Sequence, residues 1–592
     1  MFATIFGLII FAIPFLLIFC FKNRVNGFLY IFASVLIGHL LIALTTQFFH
    51  IFLYPVIISF HSLVAIASLL FIWRKTNKTS FKFKINWLVI VGFLIIFFEL
   101  LSVHFLYTGT IRTINDQQSV SRSNYSYPLF SDEWSGVAFA KYSINSNSLP
   151  TVNPLSLDRK TNNFPNIFIC FFSLVAEIFL MIAVSPLSAY VFLAVVASLI
   201  ICLLIFLLLK ANGVNSWISL ISTLLIPFAV NGSNLPGLWY LIPFTGGVIF
   251  FLLSLLGFSL RKHLFSLLLS AVACLLYPPL FVFIVPTIVA YLITTPELKI
   301  YHKIKLSLFG FLVLIIAAIV IIYLQAINAN YLFGVLVSSA WRLNLDGGIP
   351  AFIIWNIVPI FILPFSIVGL FSVIKNKKIF ILTPVTIGLS LWAIYSFKDH
   401  YFFIDYARVV VLTSFLLIAL AGFGLDELLK IFLNKYPSLF AKSDILIGMS
   451  LVVYLFFILS LSYTSHDSWR QLSLKVSNFN YSIDPVAPVN HYLTDDDLEL
   501  FKTISKKRFL SPPWKGLVLG AATDNYPLES KDSIVAVRFM NYNYFMNSSC
   551  EDKVISAQKA KLQYVYSQEF NCDKFAEIGK SSEDLHLYKF NR

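Results

Sequence analysis

From Met1 to Tyr463 the sequence is a succession of apolar runs, each near the 17–25 residues that carry a helix across a lipid bilayer. A chain of this kind must satisfy its backbone inside each segment, which leaves a bundle of helices as the expected fold. The runs lie near 2–21, 28–48, 53–73, 87–106, 187–209, 214–230, 237–258, 306–325, 349–374, 379–396, 406–424 and 444–463. The stretch 264–295 is broken by Tyr277-Pro278-Pro279 and reads as two short spans meeting at a proline turn. About 14 spans are therefore expected. The first run lacks a basic leader and a small-residue cleavage site, and reads as a helix rather than a signal peptide. Composition agrees: 58% of residues are hydrophobic and only 12% are charged, against roughly a quarter charged in soluble domains.

After Tyr463 the character changes. Residues 464–592 carry 16 basic and 16 acidic side chains, so the whole net charge of +14 belongs to the membrane part. Positive loops on the cytoplasmic side account for such an excess, and no nucleic-acid partner is needed. The tail reads as a water-soluble, mixed α/β domain. Thr494 ahead of Asp495-Asp496-Asp497 marks a capped helix start. Apolar runs at 516–520, 533–537 and 562–566 suit strands. Trp514, in Ser511-Pro512-Pro513-Trp514-Lys515, could face a glycan or be buried. Cys550 and Cys572, 22 residues apart, are expected to pair if this domain lies outside the cell. No C-x-x-C occurs, and no ligand spacing calls for a metal.

The segment 164–185 is apolar enough to cross, but charge argues against it. If it does not cross, 19 Lys and Arg of the membrane part fall inside and 8 outside. If it crosses, 12 of those 19 move outside, against the orientation rule. We therefore expect 164–185 to be re-entrant or to lie along the outer interface. The expected units are 1–106, N-terminal spans; 107–186, an extracytoplasmic loop with amphipathic and re-entrant helices; 187–463, a helix bundle; and 464–592, an extracytoplasmic α/β domain. Both termini would lie outside a plasma membrane.

Charges kept away from the basic inner loops are candidates for function. One group is in the loop 107–163, where Asp132 and Glu133 open a helical stretch followed by Leu149-Pro150 and Asn153-Pro154. A second is Arg342 with Asp346. A third is the turn Lys398-Asp399-His400 to Asp405-Tyr406-Ala407-Arg408, where Asp405 and Arg408 share one face at the mouth of an apolar helix. An interfacial anchor is the plain alternative for Arg408.

The acidic pair, the short helix, the Leu-Pro and Asn-Pro stretch and the partly embedded apolar helix after it resemble the GT-C superfamily of membrane glycosyltransferases over 107–210. The tail lacks a Trp-Trp-Asp, so it does not look like an oligosaccharyltransferase, and three extra spans precede the loop, which follows the first span in the simplest members. The resemblance implies sugar transfer from a polyprenyl-phosphate or polyprenyl-diphosphate carrier to a glycan, lipid or protein at the outer face. It implies Asp132 as the base, with Glu133 as partner or alternative. It implies Arg408, with His400 and Lys398, as the phosphate clamp, Arg342 and Asp405 beside it, and a divalent metal as an option. A sugar-phosphate between Asp132 and Arg408 would hold them roughly 6–12 Å apart. The other readings are a transporter or flippase of a lipid-linked or small solute, and a surface-polysaccharide polymerase or ligase.

Overall fold

The computed structural model describes residues 2–76, 87–112, 117–124, 126–128, 131–157, 167–229, 240–295, 298–325, 337, 340, 342–343, 354, 357–358, 362–398, 400–435, 492–530 and 540–591. The first part is helical: α1 (Phe2–Ala12), α2 (Arg24–Phe48), α3 (Tyr54–Thr76) and α4 (Trp87–Phe105). An antiparallel hairpin of β1 (Leu106–Arg112) and β2 (Gln117–Asn124) follows, then α5 (Ser131–Ser146) and α6 (Ile169–Met181). The bundle continues as α7 (Pro186–Ala211), α8 (Ser216–Leu224), α9 (Pro243–Ser259), α10 (His263–Leu276), α11 (Phe281–Thr294) and α12 (Ile300–Gln325). After β3 (Arg342–Leu343) come α13 (Leu363–Lys375), α14 (Ile379–Phe397), β4 (His400–Tyr401) and α15 (Tyr406–Lys435).

Seven helices among the described residues are long and apolar enough to cross a membrane: Phe2–Cys20, Arg24–Phe48, Tyr54–Lys75, Pro186–Ala211, Ile300–Val320, Ile379–Phe397 and Tyr406–Phe432. Six apolar helices are shorter, among them Ile169–Met181, Pro243–Ser259 and Leu363–Lys375. The described residues do not reach the count of about 14; several of the expected runs lie partly or wholly outside them, and proline shortens one run. The first run stays long enough to cross, continuing past Pro14 as a 3-10 helix after Ala12. Pro227 ends the run expected at 214–230 after α8. Pro278 and Pro279 divide α10 from α11 at the turn read from the sequence. The run expected at 444–463 lies outside the described residues.

α6 has 13 residues, about 20 Å of helix against the roughly 30 Å of a bilayer core. It does not carry the chain across the bundle. Phe93, early in α4, meets Phe206, late in α7, with ring centroids 5.6 Å apart, so these helices run antiparallel. The end of α4 and the start of α7 therefore share the end of the bundle that carries α5. At the opposite end, Lys378 donates to the Asn212 carbonyl at 2.7 Å and Lys375 meets Glu427 at 3.1 Å. α13 and α15 run side by side in the same direction: Ser366 donates to the Leu417 carbonyl at 2.8 Å. A Cβ at Gly369 or Gly424 would strike the facing backbone, the close approach that small residues permit between membrane helices.

The C-terminal domain contains α16 (Asp495–Lys502), β5 (Arg508–Leu510), α17 (Pro513–Ala522), β6 (Tyr526–Pro527), α18 (Tyr542–Asn547), α19 (Cys550–Ala560), β7 (Tyr564–Ser567), β8 (Phe575–Lys580) and β9 (His586–Phe590). Its mixed sheet has the order β6-β5-β7-β9-β8. Thr494 caps α16 reciprocally with Asp497. The run 562–566 enters β7, and 533–537 lies outside the described residues. The run 516–520 is helix, not strand: Pro513 opens α17, and Leu517, Val518 and Leu519 are all fully buried. A short apolar run has no period that separates a buried helix from a buried strand. Cys550 and Cys572 are bonded, with Cα atoms 5.4 Å apart. Trp514 is half-buried and Lys515 is buried.

Candidate functional site

α5 places the site. Asp132 and Glu133 lie in its first turn, where the exposed N–H groups favour acids. The helix is largely buried, with Trp134 fully enclosed. Phe139 stacks on Phe172 of α6 with centroids 4.6 Å apart. Lys141 reaches Asp524 at 3.0 Å and the Ala522 carbonyl at 3.2 Å, which ties α5 to the C-terminal domain. The loop that carries Asp132 and the domain at 492–591 therefore sit at the same end of the bundle.

Successive residues on a helix diverge by about 100°, and the two acids go to different tasks. Glu133 is buried and accepts a hydrogen bond from the Leu241 N–H at 3.0 Å. Tyr190 donates to the Leu241 carbonyl at 2.7 Å, so the backbone before α9 is held on both sides. Asp132 is 38% exposed and accepts from the Arg408 guanidinium at 2.6 Å.

Arg408 is positioned from its own turn. Asp405 caps α15: one carboxylate oxygen accepts the Arg408 backbone N–H at 3.0 Å, three residues on. Its other oxygen takes the guanidinium at 2.9 Å. The turn before it is pinned by Tyr395, whose hydroxyl accepts from the Phe402 N–H at 2.9 Å and donates to the Ile404 carbonyl at 2.8 Å. Arg408 thus bridges two carboxylates contributed by residues far apart in sequence, and points at Asp132 rather than away from it. The distance differs from the 6–12 Å spacing expected for a sugar-phosphate between them. In a half-buried site an unpaired charge is costly, and opposite charges close to contact.

Lys398 is exposed at the end of α14, and His400 is half-buried in β4. The backbone of Arg342 pairs with that of Tyr401, and Leu343 with His400, so the Arg342 segment borders the Lys398–Arg408 turn. The side chain of Arg342 lies outside the described residues, as does Asp399. Tyr395 was missed in the sequence. A Tyr ten residues before Asp405 in an apolar run carries no signal of its own.

A cleft of about 700 Å³ opens between α5 and the C-terminal domain. Lys141, Tyr142 and Asn145 line one wall, and Lys506, Asp524 and Tyr526 the other. It begins at Ala138, about 9 Å along the helix axis from Asp132.

A second buried polar group lies within the bundle. Glu177 of α6 is fully buried and meets His39 Nδ1 at 2.8 Å and His61 Nε2 at 2.5 Å. The sequence pattern marks Glu177 as an acid in an apolar run, but gives no sign of its partners on α2 and α3.

No protein-family model matches the sequence, and no curated protein matches it. Among solved structures the chain is similar to the oligosaccharyltransferase of Archaeoglobus fulgidus in its apo form, at a TM-score of 0.48 and 11% identity over 82% of this chain and 70% of that one. The same enzyme tethered to an acceptor peptide with the NVT sequon gives a TM-score of 0.45 and 11% identity, over 82% of this chain and 69% of that one. The arabinofuranosyltransferase AftD from Mycobacteria gives 0.43 and 12% identity, over 84% of this chain and 41% of that one.

Proposed function

We propose that the chain is a membrane glycosyltransferase that moves a sugar from a polyprenyl-phosphate or polyprenyl-diphosphate carrier to a glycan, lipid or protein acceptor at the outer membrane face. The observation that carries this reading is the contact of Asp132, Arg408 and Asp405 at the end of the bundle, beside the cleft under the C-terminal domain. The carrier's lipid stays among the apolar helices while its phosphate reaches the helix ends. Arg408 offers a planar fork suited to phosphate oxygens. When the phosphate takes the Arg408 nitrogen now held by Asp132, that carboxylate is released to accept the acceptor's proton. The bond from the sugar's anomeric carbon to the phosphate oxygen breaks, and the bond to the acceptor oxygen forms. The leaving phosphate keeps the electron pair and rests on Arg408, which Asp405 holds in place. The cleft between Lys141 and Lys506 is the proposed path of the acceptor.

A hard divalent cation would find oxygen ligands in Asp132 and Asp405. Arg408 fills the space between those two carboxylates, so the residues as placed do not fit a metal. Lys398, His400 and Arg342 remain proposed phosphate contacts by their place on the same two segments. An outer location for the domain is supported by its disulfide, a bond of oxidising compartments.

The test is transfer of labelled sugar from a polyprenyl-linked donor by the full chain in lipid. Asp132→Asn keeps the shape and removes the base, and should lower turnover by about 10²–10⁴-fold. Full activity of that variant rejects the site. The transporter or flippase reading is favoured by one observation, the ionisable cluster of His39, His61 and Glu177 inside the bundle. Under that reading the donor crosses the lipid with its sugar still attached, and no product forms.

A further inference from the structure

Three helices bring one ligand atom each to a single buried point. His39 of α2, His61 of α3 and Glu177 of α6 have their ligand atoms within 4.8 Å of one another. The imidazole rings stack with centroids 4.2 Å apart, and each meets a different oxygen of the carboxylate. Helix rise places the cluster well inside the bundle. His39 lies about 13 Å before the end of α2 at Phe48, and His61 about 10 Å after the start of α3 at Tyr54.

Glu177 is fully buried among apolar helices. A carboxylate there is expensive unless a cation answers it. The contacts with His39 and His61 each require a shared proton, and one divalent ion could replace both. In a tetrahedral zinc site, bond lengths near 2.0–2.1 Å put ligand atoms about 3.3 Å apart. The two carboxylate–imidazole contacts would open by less than about 1 Å, and the two nitrogens would close by no more than about 1.5 Å, which is within side-chain adjustment. Two imidazoles and one carboxylate form a borderline donor set that suits zinc and its neighbours over magnesium or calcium.

Two further groups point to a bound species. Gln47 donates to the Ser173 carbonyl at 3.2 Å. Its own Oε1 and the Ser173 Oγ are buried and find no partner among the described residues. Ser173 precedes Glu177 by one turn and Gln47 follows His39 by two, so both lie between the cluster and the end where α2 meets α3. On the other side Phe11 packs on His39 at 5.2 Å, with Phe15 and Phe32 behind it. Among the described residues near the cluster, the two buried polar atoms without a partner lie on the Gln47–Ser173 side, which marks it as the entrance.

We infer that His39, His61 and Glu177 form an intramembrane site for one divalent transition-metal ion of the zinc class, with the Gln47–Ser173 side as its entrance. The ion fastens α6 to α2 and α3. Because Phe172 of α6 stacks on Phe139 of α5, it also steadies the helix that carries Asp132. The site stands whether or not the chain transfers sugars.

The test is a metal titration of the full-length chain in detergent, with its affinity tag removed and metal stripped by a chelator. Co²⁺ alone should bind one per chain with the visible bands of a tetrahedral site, and Zn²⁺ should displace it. Glu177→Gln should weaken Co²⁺ binding by about 10²-fold or more, beyond the 10–100-fold typical of outer-shell changes. His61→Cys retains a ligand and should keep one Co²⁺ while adding a thiolate charge-transfer band, which guards against misfolding as the cause of loss. Asp132→Asn should leave the titration unchanged. A wild-type chain that takes up no stoichiometric Co²⁺ or Zn²⁺ overturns the site. So does a titration that Glu177→Gln and His61→Cys both leave untouched, or one that Asp132→Asn abolishes.

Discussion

Arg408 donates to the Asp132 carboxylate at 2.6 Å across 276 positions of sequence, while Asp405 holds its second nitrogen at 2.9 Å. One cation between two carboxylates leaves the group with a net negative charge. The phosphate of the proposed carrier would enter by taking over part of the guanidinium. The fork matters here because two separate nitrogens serve two partners at once.

Arg408→Lys keeps the charge but offers a single nitrogen. It cannot hold Asp405 and a phosphate in the same planar geometry. The proposed carrier should then bind about tenfold or more weaker, with the larger change in KM and the smaller in kcat. Initial rates against donor concentration check this. An unchanged KM removes Arg408 from the phosphate site.

Tyr395→Phe tests the turn. The hydroxyl satisfies the Phe402 N–H and the Ile404 carbonyl in a fully buried position. Removing it leaves both without that partner, at a cost of about 1–3 kcal/mol. Thermal denaturation should show the loss, and turnover should fall with it as Arg408 loses its fixed base.

Gly136 and Gly38 give opposite expectations for the same change. A Cβ at Gly136 would overlap the Tyr190 hydroxyl and displace its bond to Leu241. Gly136→Ala should cost about 1–3 kcal/mol, the usual range for overpacking. Gly38, in α2, has nothing within 4 Å of a built Cβ. Gly38→Ala should stabilise by about 0.5–1 kcal/mol. Paired melting curves decide both.

What the sequence reveals follows from which signals are local. The α5 start, the Asp405–Arg408 pair, the Tyr277-Pro278-Pro279 break and the Thr494 cap were legible because each is written within a few residues. The partners of Glu177 were not, because a histidine in an apolar run looks the same whether it faces an acid or packs as a ring. The helix at 513–522 was misread as strand because burial on all sides erases periodicity. The run 214–230 was read too long because Pro227 ends its α-helix inside a stretch that hydropathy alone keeps continuous.

Lys515 is the buried centre of the C-terminal domain's polar group, meeting Asp497 at 2.5 Å, Glu583 and the Tyr492 carbonyl. Burial alone would lower its pKa, but the two carboxylates outweigh it and hold the ammonium above its usual value. Burial, then Asp497, likewise pushes the Tyr566 hydroxyl up. Both groups keep their protons in the folded domain at pH values where the unfolded chain loses them. Their contribution is therefore complete below about pH 10 and is lost as pH rises further. Lys515→Met leaves two buried carboxylates without their cation and should cost about 3–5 kcal/mol at neutral pH. Melting of the full chain between pH 7 and 11 checks the alkaline fall, which should shrink in the variant.

The last prediction concerns sidedness. Asp524 of the C-terminal domain pairs with Lys141 of α5, so the two regions must share a side of the membrane. The basic residues near Asn376 lie at the other end of the bundle, where Lys378 meets Asn212. Positive loops stay in the cytoplasm, and on that rule we propose that the site and the disulfide lie outside. Single cysteines at 120, 376 and 559 in intact cells should answer an impermeant thiol reagent at 120 and 559 and remain protected at 376. Reducing the Cys550–Cys572 bond should lower the stability of the domain by roughly 3 kcal/mol for a loop of its length. Labelling at 376, or protection at 559, reverses the orientation. The proposed carrier chemistry would then have to take place on the cytoplasmic face, where that disulfide would not be expected to persist.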